Sequence, residues 1–161
     1  MISFQAVSGT PLAGVLRYSR SDMGFSFDTA SLPDLARRAG SQGMSSLVID
    51  TLQLEVGVET GQVLYAWGYC PESSWLPAVL EPPTHSGARI VATVDPPLEE
   101  SVSVSLSRSP WNIQVDRDSE WVMISPSRTI GERVVKVADG ILLGLAGAKL
   151  NSIWLCPRFE D

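Results

Sequence analysis

Histidine occurs once in these 161 residues, cysteine twice, and lysine only at positions 136 and 149. A lone histidine excludes a metal cage built from imidazoles. With so few lysines and the arginines scattered, no cationic face exists to displace counterions from a nucleic acid, which is therefore excluded as a partner. No stretch reaches the ~18 apolar residues of a membrane helix. The most apolar run, Ile141 to Leu150, is broken by Gly144, Gly147 and Lys149. The opening Met1-Ile2-Ser3-Phe4-Gln5 lacks the basic and apolar regions of a secretion signal. Both absences point to the cytoplasm, with no membrane partner and with Cys70 and Cys156 as reduced thiols. The glycines fit neither the phosphate-binding loop nor the dinucleotide fingerprint, and no Gly-x-Ser-x-Gly elbow occurs. No cofactor is implied.

What the chain does contain is a rhyme. Val56-Gly57-Val58, a four-residue gap, Val63-Leu64-Tyr65-Ala66-Trp67 and Cys70-Pro71 form its first copy. Leu143-Gly144-Leu145, a second gap, Leu150-Asn151-Ser152-Ile153-Trp154 and Cys156-Pro157 form the other. Both read as hairpins. The first copy carries one extra residue after its tryptophan, which would turn the following side chains to the opposite face. A bulge at Gly68 is the expected way to absorb it.

Alternating runs dominate the rest. Residues 2–7, the pairs Leu16/Tyr18 and Phe25/Phe27, 46–58, 63–69, 89–95, 102–106, 111–115, 121–124, 134–137 and the closing hairpin read as strands. The run 46–58 reads as one strand. Asp139-Gly140 between apolar runs is a hairpin signal. One helix is predicted near residues 32–39, capped by Ser31, with Pro33 and Asp34 in its first turn and Gly40 at its end. Its apolar face is Leu32, Leu35, Ala36 and Ala39. A further turn of helix is expected near Ser74 to Leu80. The fold class is mostly β: about ten antiparallel strands in a sandwich, a barrel or two stacked sheets. The length fits a single domain, 1–161, with halves 1–80 and 88–161 joined by a proline-rich segment. Exposed strand edges leave a homodimer open.

Chemistry-bearing constellations are sparse. Cys70 and Cys156 have no base or cation nearby in sequence and read as small buried hydrophobes. Asp116, Asp118 and Glu120 are spaced like cation ligands, but Arg117 opposes that and a polar turn is the simpler reading. The most suggestive surface is aromatic: Trp67, Tyr69 and Trp75, with His85 in the proline-rich loop, could receive a ligand or a partner.

Three functions follow. The first is a non-enzymatic protein-interaction module. The formal net charge of −6 suits an acidic protein that neutralises a basic partner, as immunity proteins do to toxins. The second is a small-molecule-binding β fold with a pocket lined by Trp67, Tyr69, Trp75 and His85. The third, weakest, is a hydrolase pairing His85 with Asp95 or Glu99.

Overall fold

The computed structural model describes residues 1–126 and 131–161. They form, in chain order, β1 (Ile2–Val7), β2 (Gly14–Ser19), β3 (Gly24–Thr29), α1 (Leu32–Ala39), β4 (Met44–Ile49), β5 (Leu52–Gly57), β6 (Val63–Tyr69), β7 (Leu76–Pro77) and β8 (Ser86–Gly87). Then follow β9 (Arg89–Val94), β10 (Val104–Ser107), β11 (Asn112–Val115), β12 (Val122–Ser125), β13 (Arg133–Ala138), β14 (Ile141–Ala146), β15 (Lys149–Leu155) and β16 (Arg158–Glu160). The fold is mostly β, as the alternating runs predict, and no helix among the described residues is long and apolar enough to cross a membrane.

Two seven-stranded sheets and a two-stranded ribbon, β1 with β9, make up the architecture. The first sheet runs β10-β4-β5-β6-β3-β2-β16 and the second β8-β13-β14-β15-β12-β11-β7. Written this way the two match rank for rank. Three consecutive antiparallel strands lead, an antiparallel hairpin follows, and a parallel strand closes each edge. The edges are exchanged. The chain leaves β6 through Cys70-Pro71 and supplies β7 to the second sheet; it leaves β15 through Cys156-Pro157 and supplies β16 to the first.

Four parallel edge pairs, β10–β4, β16–β2, β7–β11 and β8–β13, correct the all-antiparallel expectation. None of these edge strands is tied to its neighbour by a tight turn, so each is free to run parallel. Among the described residues sixteen strands replace the expected ten or so. Most of the surplus is short: β7 and β8 have two residues each and β16 three. The prolines near β7 and β8 fit edge positions, where a missing ladder donor is tolerated.

The run 46–58 is not one strand. Asp50-Thr51 turns it into the β4–β5 hairpin, with Ile49 paired to Leu52 and Asp50 at φ +56°. Aspartate tolerates that left-handed conformation, and the apolar alternation simply resumes on the other side. The expected bulge also moves. Register shifts fall at Leu64, between the pairs Glu55–Tyr65 and Val56–Val63, and at Asn151, between Gly144–Ser152 and Leu145–Leu150. Gly68 keeps register with Leu52, although its φ is +115°. Each cysteine amide bonds to the turn beside its strand: Cys70 N–H donates to Met23 O and Cys156 N–H to Gly140 O. Matched from these pairs, Gly144 corresponds to Glu55, not to Gly57, because the first hairpin's loop is longer.

α1 spans the predicted residues, and Ser31 Oγ accepts from Asp34 N–H at 3.1 Å. Its face differs from the expected one. Leu32 and Ala36 are exposed, while Arg38 and Ala39 are buried. Arg38 donates to Asp34, to the carbonyls of Thr10 and Pro11, and to Thr10 Oγ1. These bonds satisfy the guanidinium, which is why a charged side chain can take a buried position on the helix. The helical turn expected near Ser74 to Leu80 is a 3-10 turn at Glu72–Ser74.

One hydrophobic core draws on both sheets and the ribbon, through residues such as Phe4, Leu54, Ile90, Leu143 and Ile153. Where the exchanged tails meet, Tyr18 packs against Phe25, Trp75 and Phe159 at ring distances of 4.8, 4.8 and 5.7 Å. Glu72 clasps this joint. Its carboxylate meets Arg20 of the β2–β3 turn at 3.2 Å and Arg117 of the β11–β12 turn at 2.6 Å. Those guanidiniums lie over Phe159 and Trp75, respectively.

Candidate functional site

After β7 the chain does not leave the second sheet but crosses its outer face. Ala78 N–H donates to Val115 O and Leu80 N–H to Asp116 Oδ2, both at 2.9 Å. Asp116 also accepts from the amides of Asp118 and Ser119. These backbone donors, Leu80 first, hold its carboxyl below the ordinary aspartate range. The spacing that resembled cation ligands is thus a turn that anchors a strap. Leu80 forms a second small core with Val134, Leu142 and Trp154, flanked by Ala78, Trp121 and Met123.

Beside this core, strap and sheet leave a cleft of about 680 Å³. Its apolar walls are Leu76, Ala78, Val79, Leu80, Pro83 and Met123. Its polar groups are the carboxylates of Glu81 and Glu132, the amides of Asn112 and Gln114, the hydroxyls of Ser125 and Ser152, and the indole of Trp154. Glu132 accepts from Asn151 Nδ2. Two of the lining atoms stand out. Trp154 Nε1 and Ser152 Oγ are buried, in residues 7% and 2% exposed, and have no hydrogen-bond partner among the described residues. A mixed wall of this volume, with converging polar groups, suits a small ligand.

The residues singled out from the sequence lie elsewhere. Trp67 is half-buried, and its Nε1–H donates to Glu55 Oε1 at 3.0 Å. Tyr69, 48% exposed, ends β6. Trp75 is buried in the aromatic joint between the exchanged tails. His85 is exposed, with Nδ1 3.0 Å from Pro83 O, in its own loop. None of the four lines the cleft, although Pro83 does. Among the described residues no three His, Cys, Asp or Glu side chains gather as a metal site. Burial raises the Cys70 thiol to about 11 and pushes Cys156 up as well.

Sequence reasoning placed Trp154 in the repeat but not in a site. One signal was readable: Ser152 and Trp154 alternate along β15, so they share a face. What covers that face comes from a segment some seventy residues earlier, and no local pattern announces it. No protein-family model matches the chain, and no curated protein matches it.

Proposed function

We propose that the chain works by binding, and that its site is the cleft between the 76–83 strap and the second sheet, which takes a small polar molecule. One observation carries the reading: buried Trp154 Nε1 and Ser152 Oγ lack partners at the wall of a cleft of about 680 Å³. A buried unsatisfied polar group costs about 1–3 kcal/mol, and folded proteins keep few of them. A ligand that bonds both recovers that free energy. The test follows the indole resonances of the intact protein by ¹⁵N–¹H NMR against a library of small hydrogen-bonding compounds. Saturable shifts of Trp154 with Trp67 unmoved support the site. A library that never perturbs Trp154 removes it.

A basic protein partner is the second reading. Six cationic side chains, Arg17, Arg20, Arg37, Arg38, Arg117 and Lys136, are engaged in internal ion pairs. The net charge of −6 is therefore carried outward mainly by acids. At the rim of the cleft Val79 is 96% exposed, beside Glu81. Association with a basic protein should weaken with salt and with Glu81→Lys, which reverses a charge at that rim; salt-independent binding, or none, removes this reading. We assign the protein to the cytoplasm, a proposal supported by two free cysteines.

A further inference from the structure

A second concavity, of about 310 Å³, opens between α1, the β5–β6 loop and the β1–β9 ribbon. Its polar wall is Arg37, Arg38, Thr60, Gln62 and Arg89. Arg89, at the start of β9, has no ion pair and no side-chain hydrogen bond among the described residues, and its Nε is buried. A Cβ on Gly9 would come within 2.5 Å of Arg89 Cγ and Nε, so a glycine there lets the arginine stem lie against the backbone. Gln62 is 4% exposed. Its backbone amide bonds Thr60 Oγ1 at 3.1 Å, but its side-chain N–H groups meet no acceptor among the described residues. Arg37 and Arg38 share one carboxylate, Asp34, at 2.6 and 2.9 Å. Glu59, just before Thr60, is turned to the amide and hydroxyl of Ser41. No carboxylate is among the described residues of the wall. Three guanidiniums against the carboxylate of Asp34 leave two positive charges in excess, in a chain whose net charge is −6.

We infer that this cavity binds the phosphate group of a small phosphorylated molecule, at a site separate from the cleft under the strap. A phosphate monoester carries about −1.5 to −2 charge at pH 7, which answers the excess of two. A single carboxylate answers only half of it. The terminal N–H groups of Arg89 and the amide of Gln62 can donate to phosphate oxygens without breaking any existing bond, and a guanidinium presents its donors as a planar fork that fits them. Arg38 adds charge on a fixed frame, since its donors are already held by Asp34, Thr10 and Pro11. A cation would be repelled, and an apolar ligand would leave guanidinium and amide unpaired. Val7 and Val91 give apolar surface to the body of the molecule. The volume lies at the lower end of the range of about 300–1,000 Å³ for ligand clefts, which suits a small monophosphate.

The experiment titrates the intact protein at constant ionic strength with inorganic phosphate, glycerol 3-phosphate, ribose 5-phosphate, acetate and succinate. ¹⁵N–¹H NMR follows the Arg89 Nε–H, the Gln62 side-chain amide and the Trp154 indole. The expected result is a saturable shift of Arg89 and Gln62, tighter for a phosphate compound than for either carboxylate, with Trp154 unmoved. Arg89→Gln should weaken that binding about tenfold or more. Gly9→Ala keeps every charge but displaces the Arg89 stem, and should weaken it too. Arg158→Gln removes an equal charge from the exposed edge strand β16 and should leave it unchanged. Arg37→Gln, at an exposed position, should weaken binding severalfold and keeps the test open should Arg89→Gln fail to fold. Carboxylates binding as tightly as phosphates would overturn the ligand class. No shift at Arg89 and Gln62 with any probe, or equal losses in Arg89→Gln and Arg158→Gln, would overturn the site. A phosphate-induced shift of Trp154 alone would do the same while leaving the cleft reading in place.

Discussion

The Leu80 amide donates to Asp116 Oδ2 at 2.9 Å, and this single bond ties the strap to the turn between β11 and β12. Asp116→Ala should release the strap: amide exchange at Leu80 accelerates markedly while amides of the β5–β6 hairpin keep their protection. Hydrogen exchange followed by NMR reads both at once. Unchanged exchange at Leu80 would show that packing on Trp154 and the Ala78 bond to Val115 hold the strap without Asp116.

The same carboxylate makes the strap acid-sensitive. Asp116 is held below the ordinary aspartate value by amide donors. A depressed folded value means that its contribution is present above the unfolded value of about 4 and is lost as pH falls through the lower folded one. The Leu80 amide shift should stay flat from neutrality to about pH 4 and move only below it. A transition centred above that range contradicts the assignment.

Arg38 is a buried cation whose charge is answered by Asp34 at 2.9 Å. Asp34→Asn removes the counter-charge and leaves the guanidinium with neutral acceptors only. Breaking a buried pair costs about 3 kcal/mol or more, so the urea midpoint should fall clearly. Arg37, paired with the same carboxylate but exposed, provides the contrast: Arg37→Ala should cost under about 1 kcal/mol.

Cys70 should be close to inert. Burial raises its thiol to about 11, so little thiolate exists at neutral pH. Iodoacetamide at pH 8 should modify Cys156 first and Cys70 only on unfolding, as peptide mass spectrometry would show. The sign for stability follows: this group's contribution is present below the unfolded value of about 8.5 and is lost as pH rises through the folded one.

Tyr18 joins the exchanged tails. Its hydroxyl donates to Cys70 O at 2.7 Å, and burial lifts it to about 12. Tyr18→Phe keeps the ring contacts with Trp75 and Phe159 but strands the carbonyl. A loss of about 1–2 kcal/mol in chemical denaturation is expected; no change would place an alternative donor on Cys70 O.

The β character, the helix limits and both repeat hairpins were legible in the sequence because each is local. Alternation reports which side of a strand is dry, and Ser31 or Asp139-Gly140 carries its own turn chemistry. Two local readings still missed, for identifiable reasons. Asp50-Thr51 is a turn that interrupts no apolar alternation, and Arg38 is buried by acceptors from a loop that the helix cannot announce. The exchange of β7 and β16, the strap that Asp116 anchors over Trp154, and the burial of Arg38 by the loop before β2 depend on which segments meet. Such meetings bring together residues tens of positions apart, through packing of the whole core, and no window of neighbouring side chains contains that free energy.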